Sequence, residues 1–471
     1  MPFLNQPTAY IIVYLTYISR VSEYLQNLVY GFNMRLLINS YFAFISLFIV
    51  AIYAVTAVYF PQLYIICTYE DMYGEWGQAY FFLLTFIFSG LNVITPDTGR
   101  FRLFFTLLAL AGLYTFMEEI SWGQRLIGFN TPDFFAEYSY QDEANLHNLL
   151  TGPVESWTKT ALTYVISLGM LVYGVLFPLL LKAQWRLALW ADKWGCPAPP
   201  LGLMPAFLFA AIFEAEFFSF NEAEVAELLV AMAMSFTSLH FWLSKQEQWQ
   251  TKSLAIFCTI TLTVIAAAFS TTQILIHNPA QQKEINHRLA NGYKKFADRY
   301  ERYDHYQAVV EVLQLYNQLK PDNTVILRRI RENYLLLGDE VQAALVLENA
   351  IQIALARHQV DPENIPVLIS LAKSYHQEQR PGQVYFYAQK AYDLALQRAS
   401  YNADVAEQAY SYYWLAKACE QLNKQPAALK YYRQAHKLAL NNGRYERAYY
   451  NKRHLMEQYY AEDWTERLYT D

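Results

Sequence analysis

The sequence has few cysteines and none of the short motifs that commonly identify an enzyme or a metalloprotein. Its four cysteines, Cys67, Cys196, Cys258 and Cys419, stand alone without a CxxC pair, which argues against a disulfide framework and a cysteine-ligated metal. The patterns GxxxxGKS/T, GxSxG and HExxH are absent, so a P-loop, an α/β-hydrolase and a zincin are unsupported. The N-terminus lacks a basic region followed by a small-residue cleavage site, so we expect no cleavable signal peptide.

Positive charge is scarce in the first part of the chain. Residues 1–277 carry 11 Lys and Arg against 19 Asp and Glu, whereas residues 278–471 carry 25 against 23. Neither part shows the basic stripe that a nucleic-acid partner requires, so we expect no such partner. The mean hydropathy of +0.06 averages an apolar first part with a polar second part and describes neither.

The first part contains a series of apolar runs. A helix of about 20 apolar residues is long enough to cross the hydrocarbon layer of a membrane. On this basis the sequence predicts seven spans: Leu36–Phe60, Trp76–Ile94, Phe101–Glu119, Lys159–Leu181, Leu203–Phe220, Val225–Leu243 and Ser253–Ile276. The expected domains are an interfacial N-terminal helix in residues 1–35, a seven-span domain in residues 36–277 and a helical repeat domain in residues 278–471.

Charges in the connecting loops predict the orientation of the spans. Basic residues occupy alternate loops, which we expect on the cytoplasmic side. These residues are Arg20, Arg35, Arg100, Arg102, Lys182, Arg186, Lys193, Lys245 and Lys252. Acidic residues occupy the other loops. With seven spans the N-terminus is cytoplasmic and the C-terminal domain lies outside, in the periplasm if the membrane is a bacterial inner membrane.

Residues 278–471 contain a periodic pattern of small residues. Small or apolar residues recur seven positions apart in three predicted helix pairs, at Ala343 and Ala350, Val384 and Ala391, and Ala428 and Ala435. This pattern resembles tetratricopeptide repeats. The resemblance implies an α-solenoid that binds proteins on its concave face, with a weaker repeat around Ala308–Pro321 and a capping helix at Gly443–Tyr469. The repeats are longer than the family norm of about 34 residues, so we expect lengthened helices or loops at Ala356–Pro366 and Arg398–Asp404. Other arrays of helical hairpins would share this spacing.

The sequence EEISWGQR, residues 118–125, places charges at the end of an apolar span. Charged side chains are costly there and often functional. If the helix continued through this motif, Glu118, Trp122 and Arg125 would share one face. Two further polar clusters follow at predicted outward ends: one contains Glu143, Asn145, His147 and Asn148, the other Glu214, Asn221, Glu222, Glu224 and Glu227. EEISWGQR followed by NLHN resembles a motif of poorly characterised polytopic bacterial membrane proteins, and this resemblance implies a class but no reaction.

The three clusters share one predicted side of the membrane, so we expect them to surround one polar cavity. Carboxylates with one imidazole are ligands for a divalent metal ion. The predicted metal ligands are Glu119, Glu143, His147, Glu224 and Glu227, the predicted catalytic residues are Glu118, Glu119, Arg125 and Glu143, and Trp122, Gln124, Asn145, Asn148, Glu214, Asn221 and Glu222 complete the cluster.

Simpler interpretations stay open for each cluster. Glu118 and Arg125 could neutralise each other, Glu143 and His147 could be a surface pair, and the acidic run from Glu222 could be a solvated first turn.

The expected fold class is all-α: a polytopic membrane bundle followed by a tetratricopeptide-like α-solenoid. Two functions remain. The first is a membrane-anchored scaffold whose external repeats bind partner proteins during assembly of an envelope complex. The second is a metal-assisted membrane hydrolase or transferase that acts on a lipid or lipid-linked substrate at the outer face.

Overall fold

The structure, a computed structural model, describes residues 34–69, 72–127, 157–246, 252–401 and 404–459 and a few single positions between 129 and 146. All regular elements within these residues are helical. The chain divides into two compact units, residues 1–299 and residues 300–471. Most of the predicted N-terminal interfacial helix lies outside the described residues.

The first unit is built from long apolar helices and short connecting helices. They are α1 (Met34–Tyr59), α2 (Pro61–Thr68), α3 (Tyr73–Ile94), α4 (Arg102–Glu119), α5 (Gln124–Ile127), α6 (Trp157–Leu171), α7 (Phe177–Lys182), α8 (Arg186–Lys193), α9 (Met204–Glu214), α10 (Glu222–Ser244), α11 (Ser253–His277) and most of α12 (Pro279–Arg302). A π-helical turn, Val172–Leu176, joins α6 to α7. Six helical segments in the described chain are long and apolar enough to cross a membrane.

The predicted fifth span, Leu203–Phe220, differs from the other six. Its helix α9 has only 11 residues, or roughly 17 Å at 1.5 Å per residue, and so is shorter than the hydrocarbon layer of roughly 30 Å. The chain after Glu214 turns through positive φ angles at Glu216, Ser219 and Asn221. The expectation of seven full-length apolar helices is therefore replaced, in the described residues, by six long helices and one short one.

Small residues bring the long helices of the first unit close together. On α10, Ala231, Ser235 and Ser238 are fully buried, and the Ser238 Oγ lies 2.9 Å from the Ser89 Oγ of α3. A Cβ added at Gly112 of α4 would lie 2.9 Å from the backbone nitrogen of Phe86. Close backbone approach through small side chains is typical of helices that pack in membranes, where burial of apolar surface contributes little.

Contacts between helix ends and connecting loops define the two ends of this unit. At one end Arg100 forms an ion pair with Asp192, and the Gly202 N–H donates to the Asn39 Oδ1 at 2.7 Å. At the other end the Tyr64 hydroxyl donates to the carbonyl of Phe220 at 3.0 Å. We call the first the Arg100 end and the second the Tyr64 end. The segment from Gly202 to Phe220 therefore passes from one end of the bundle to the other.

Helix α12 packs over the Tyr64 end with its residues up to Arg299. The ring of Phe296 lies 5.8 Å from the ring of Tyr64 and 5.7 Å from that of Phe220. The Arg299 Nη1 donates to the Asn221 Oδ1 at 3.3 Å. The aromatic contacts bury an apolar face of α12, so this part of the helix belongs to the first unit.

The second unit is a series of helices in which each packs on the next. They are α13 (Tyr306–Leu319), α14 (Thr324–Leu336), α15 (Glu340–Val360), α16 (Ile365–Gln377), α17 (Pro381–Tyr401), α18 (Val405–Gln421), α19 (Gln425–Leu438) and α20 (Gly443–Tyr459). Side-chain caps mark several helix starts: Asn323, Asp339 and Asn364 each accept a hydrogen bond from a backbone N–H of the first turn.

Three helix pairs, α14/α15, α16/α17 and α18/α19, contain the six spacing residues predicted from the sequence. All six are buried, and Ala350, Ala391, Ala428 and Ala435 have no exposed surface. The second helices α15 and α17 each have 21 residues, which explains the long repeat spacing. The predicted weaker repeat corresponds to α13. A helix, α20, begins at Gly443, the first residue of the predicted capping helix, and residues beyond Tyr459 lie outside the described part.

Candidate functional site

The EEISWGQR motif does not form one continuous helix. Helix α4 ends at Glu119, and a 3₁₀ turn, Ser121–Gly123, follows. Ser121 and Trp122 have positive φ angles of 46° and 53°, which a continuing α-helix does not allow. The helix therefore does not continue through the motif, and Glu118, Trp122 and Arg125 do not share one helical face. Instead the turn folds Trp122 back, and its Nε1 donates to the Glu118 Oε1 at 2.6 Å.

Arg125 forms a buried ion pair with Glu75 in the first turn of α3. Both side chains are only 11% exposed, and the Arg125 Nε also donates to the Ser121 Oγ at 3.1 Å. One of the simpler interpretations left open by the sequence paired Arg125 with Glu118, whereas the partner in the structure is Glu75. Glu75 was not among the predicted site residues, and the sequence signal that could have indicated it is its place at the outward end of a predicted span.

Gln78 connects two of the predicted carboxylates. This side chain is 1% exposed, and its Nε2 donates to the Glu119 Oε2 at 2.9 Å and to the Glu227 Oε2 at 3.0 Å. Helices α3, α4 and α10 each supply one of the three residues. The first and third predicted polar clusters thus come together at the Tyr64 end through a glutamine that the sequence analysis missed.

The electrostatics of this triad favour a bound positive charge. Two carboxylates held on one amide group repel each other strongly in a water-poor environment, and a proton or cation relieves this repulsion. The Gln78 Oε1 is also buried and has no hydrogen-bond partner among the described residues. Such an orphaned acceptor beside two carboxylates is compatible with a donor, a water molecule or a cation.

Glu222 and Asn221 bind the backbone of the bundle. The buried Glu222 carboxylate accepts hydrogen bonds from the N–H groups of Phe218 and Phe220, both at 2.6 Å. The Asn221 Nδ2 donates to the carbonyl of Thr68 at 2.6 Å. These contacts give both side chains a structural role in closing the turn before α10. Glu222 does lie in the first turn of this helix, but it is buried and not solvated.

The remaining predicted residues are placed only in part. Gln124 donates from its Nε2 to the Thr131 Oγ1 at 2.9 Å, and Glu214 and Glu224 are half-buried. Glu143, Asn145, His147 and Asn148 lie outside the described residues. In the described part of the chain, no three His, Cys, Asp or Glu side chains lie close enough to hold a metal ion. Of the five predicted metal ligands, the structure brings Glu119 and Glu227 together on Gln78.

The second unit contains a groove of about 430 Å³. Its wall includes the indole of Trp414 and the apolar side chain of Val325. The charged residues of the wall are the four cations Lys320, Arg328, Arg357 and Lys373 and one carboxylate, Asp322. Arg328, on α14, is 8% exposed and donates from Nη1 to the Ser370 Oγ at 2.9 Å. Sequence analysis missed this site because isolated basic residues on amphipathic helices are indistinguishable from a solvated surface.

Lys373 is the most perturbed cation of the groove. Burial, together with the charges of Lys417 on α18 and Arg328 on α14, lowers the pKa of its ammonium group to about 8, while the carboxylate of Glu420 acts in the opposite direction. Desolvation and neighbouring like charges both disfavour a protonated lysine. The groove therefore has an excess of positive charge that its own residues do not fully compensate.

No protein-family model matches the chain, and comparison with curated proteins finds no similar sequence. Among solved structures the chain is similar to the crystal structure of MamA protein, with 14% sequence identity over 38% of this chain and 90% of that chain, and a TM-score of 0.18. A score of this size does not establish a shared fold.

Proposed function

We propose that this protein is an integral membrane scaffold whose tetratricopeptide-like unit binds partner proteins, as a subunit or assembly factor of a bacterial envelope complex. The observation that carries this proposal is the groove on the helix-pair array, in a chain with six apolar helices long enough to cross a membrane. Helix-pair arrays of this type commonly present such a surface to proteins or peptides.

The contacts at the two ends of the bundle support seven crossings. The segment that contains α9 begins beside Asn39 and reaches Tyr64 at the opposite end, so it adds a seventh passage to the six long helices. The basic loop residue Arg100 marks one end, and the acidic residue Glu75 lies at the other. The positive-inside rule then assigns the Arg100 end to the cytoplasm and the C-terminal unit to the periplasm.

A reporter fusion tests this orientation. A phosphatase that is active only in the periplasm, fused after Asp471, is expected to be active, whereas a cytoplasm-active reporter at the same place is expected to be silent. Activity of the cytoplasmic reporter alone would contradict both the orientation and an external binding unit.

Site-specific photo-crosslinking tests partner binding. A photoreactive phenylalanine analogue at Val325, which lines the groove, is expected to give a discrete crosslinked protein in intact membranes. Lys430 is the matched control, because it is exposed on α19. Equal crosslinking from both positions, or none from Val325, would contradict the proposal.

A metal-assisted membrane enzyme is the second candidate, and the Glu119–Gln78–Glu227 triad is the observation that favours it. In this alternative Glu119, Glu143, His147, Glu224 and Glu227 hold one divalent ion. Such an ion would polarise an ester, amide or phosphate of a lipid-borne substrate or activate water. Glu118 and Arg125 would assist in proton transfer and in binding an anionic headgroup.

Elemental analysis of the purified full-length protein separates the two candidates. The enzyme requires about one ion per chain, which Glu119→Gln with Glu227→Gln should remove. The scaffold requires none, and a wild-type protein without bound metal after purification free of chelators would leave the scaffold as the surviving proposal.

A further inference from the structure

Two cations from successive helix pairs, Arg328 and Lys373, line the groove, and the charge of Lys417 in the third pair acts on Lys373. Arg328 comes from α14, Lys373 from α16 and Lys417 from α18, and each belongs to the first helix of its pair. Lys417 has one acidic neighbour, Glu420, at 3.2 Å, which also lies 3.5 Å from Lys452. One carboxylate thus serves two ammonium groups. Within the described residues Lys373 itself has no ion-pair or hydrogen-bond partner.

The buried position of this charge requires an explanation. The Arg328 Nη1 donates to the hydroxyl and carbonyl oxygens of Ser370 and to the Ser374 Oγ at 3.4 Å. These neutral oxygens accept its hydrogen bonds but do not balance its positive charge. The carboxylates of Glu332 and Glu420 offset part of the charge of Arg328 and Lys373 without forming ion pairs with them. Partly buried cations whose charge is not fully compensated lower the stability of the unit. An anionic ligand in the groove would balance the charge of these cations at a place where water screens it poorly.

We propose that this groove binds an acidic, extended peptide segment of a partner protein, whose carboxylates contact Arg328 and Lys373. This inference rests on the proposed function, in which the unit binds proteins, and assigns the chemical class of the partner. Carboxylates bound to arginine and lysine form charge-assisted hydrogen bonds, which are stronger than neutral ones.

The shape of the groove favours a peptide over a single small anion. Packed helices lie about 8–10 Å apart, so cations on neighbouring first helices are more widely spaced than the oxygens of one phosphate. An extended peptide places side chains of one face about 7 Å apart and can contact more than one of these cations. The groove wall also contains Val325, Val367 and Trp414, which suit the apolar residues between the acidic ones.

Binding of this kind depends on pH in a defined direction. The charged groups that face Lys373 are Arg328 on α14 and Lys417 and Glu420 on α18. Because the pKa of Lys373 is about 8 in the free protein, the side chain loses its proton as pH rises from 7 to 9. A bound carboxylate requires the protonated form, so affinity should fall over this interval and binding should take up protons.

Fluorescence anisotropy of the full-length protein in detergent provides the test. The probe is a fluorescein-labelled peptide of alternating Glu and Leu, and its matched control is the same peptide with Gln in place of Glu. At pH 7 Lys373→Gln is expected to weaken probe binding by about fivefold or more, as loss of one charge-assisted contact implies. Lys430→Gln, which removes an exposed charge outside the groove, is expected to change it less than about twofold.

A conservative variant tests the role of the titrating group. Lys373→Arg keeps its charge at pH 9, so it should retain probe binding there while the wild-type protein loses it. Circular dichroism of each variant ensures that loss of binding is not loss of folding. Equal affinity for the Glu and Gln peptides, or an unchanged affinity in Lys373→Gln, would overturn the inference.

Two further outcomes separate this inference from the function on which it rests. If an uncharged or basic peptide crosslinks at Val325 while the acidic probe does not bind, the unit binds proteins but the assigned class is wrong. If no peptide binds, the proposed function fails as well. Stronger binding of a single-stranded oligonucleotide than of the acidic peptide would assign the groove to nucleic acid and also overturn the inference.

Discussion

The two units of this protein use the same element, the helical hairpin, but the first unit adds polar contacts inside a bundle of long apolar helices. In the first unit, an apolar core around Phe236 is supplemented by buried polar contacts between helices, as in the Ser89–Ser238 contact and the Gln78 triad. In the second unit, alanines and aromatic rings fill the space between helices, as at Ala435 and Tyr432. Polar contacts between helices long enough to cross a membrane have a physical reason, because apolar burial drives association in water but contributes little in lipid.

Charge is also used differently in the two units. The first unit buries the Glu75–Arg125 pair and gathers its carboxylates at the Tyr64 end. The second unit leaves most of its ion pairs partly exposed and carries its uncompensated charge in a groove. Buried charge is therefore part of the internal structure of the first unit, whereas in the second unit cations line the wall of a groove.

The largest effect is expected from breaking the buried ion pair of the first unit. Arg125→Met leaves the Glu75 carboxylate buried without its cation, which typically costs about 3–5 kcal/mol. Thermal unfolding in detergent should show a large loss of stability. The partly exposed Arg100–Asp192 pair is the control within the same unit, and Arg100→Met should cost less than about 1 kcal/mol. Similar losses at both sites would contradict the contrast between buried and exposed pairs.

A smaller effect is expected at the close approach of α3 and α4. Gly112→Ala adds a Cβ 2.9 Å from the Phe86 nitrogen and 3.0 Å from the Phe82 carbonyl oxygen, both of them backbone atoms that cannot turn away. Overpacking of this kind costs about 1–3 kcal/mol. Gly90→Ala is the matched control, because nothing lies within 4 Å of its added Cβ. Melting curves in detergent should distinguish the two; equal curves would argue against this packing.

Overpacking the second unit should produce a comparable loss from a different contact. Ala350 lies fully buried on α15, and Ala350→Leu is expected to destabilise the unit by about 1–3 kcal/mol. Ala344→Leu, on the exposed face of the same helix, should have little effect. Hydrogen exchange followed by mass spectrometry can assign the loss to this unit of the full-length protein. Tolerance of Ala350→Leu would contradict the helix-pair interpretation.

The smallest effect concerns the pH dependence of the second unit. The pKa of Lys373 is lowered to about 8 in the folded protein, against about 10.4 for an unperturbed lysine. The unfolded chain therefore binds more protons between these values, and Lys373 makes stability increase as pH rises from about 8 to 10. In Lys373→Met, the free energy of unfolding measured by hydrogen exchange should not show this rise with pH. An identical pH profile in both proteins would show that Lys373 is not the group responsible.

The sequence predicted the polar ends of α4 and α10 well but missed the residues that connect them. Glu119 and Glu227 were selected because charges are expensive beside apolar spans. Gln78 was not selected, because a single uncharged polar residue in a span gives no signal until its neighbours in space are known. Glu75 and Arg125 lie on different elements, and only folding makes them a pair. Local spacing cannot reveal a contact between distant helices.

The end of α4 within EEISWGQR could not be predicted from the sequence for a related reason. No helix breaker precedes Gly123, and the left-handed conformations of Ser121 and Trp122 are maintained by contacts such as Trp122 to Glu118 and Arg125 to Ser121. Backbone strain of this kind persists only when the surrounding structure determines it. The short α9 was likewise not predictable from hydropathy, which detects apolar length but not where the backbone turns.

The amino-acid sequence by itself determined that the protein is helical, that an apolar part precedes a polar one, and which small residues lie between the paired helices of the second unit. These properties follow from composition and from periodic spacing along the chain, which are local. The tertiary structure alone decided that Gln78 joins Glu119 to Glu227, that Glu75 neutralises Arg125, and that Arg328 and Lys373 line one groove. Each of these depends on distances between side chains from separate helices, and only the packing of the helices sets those distances.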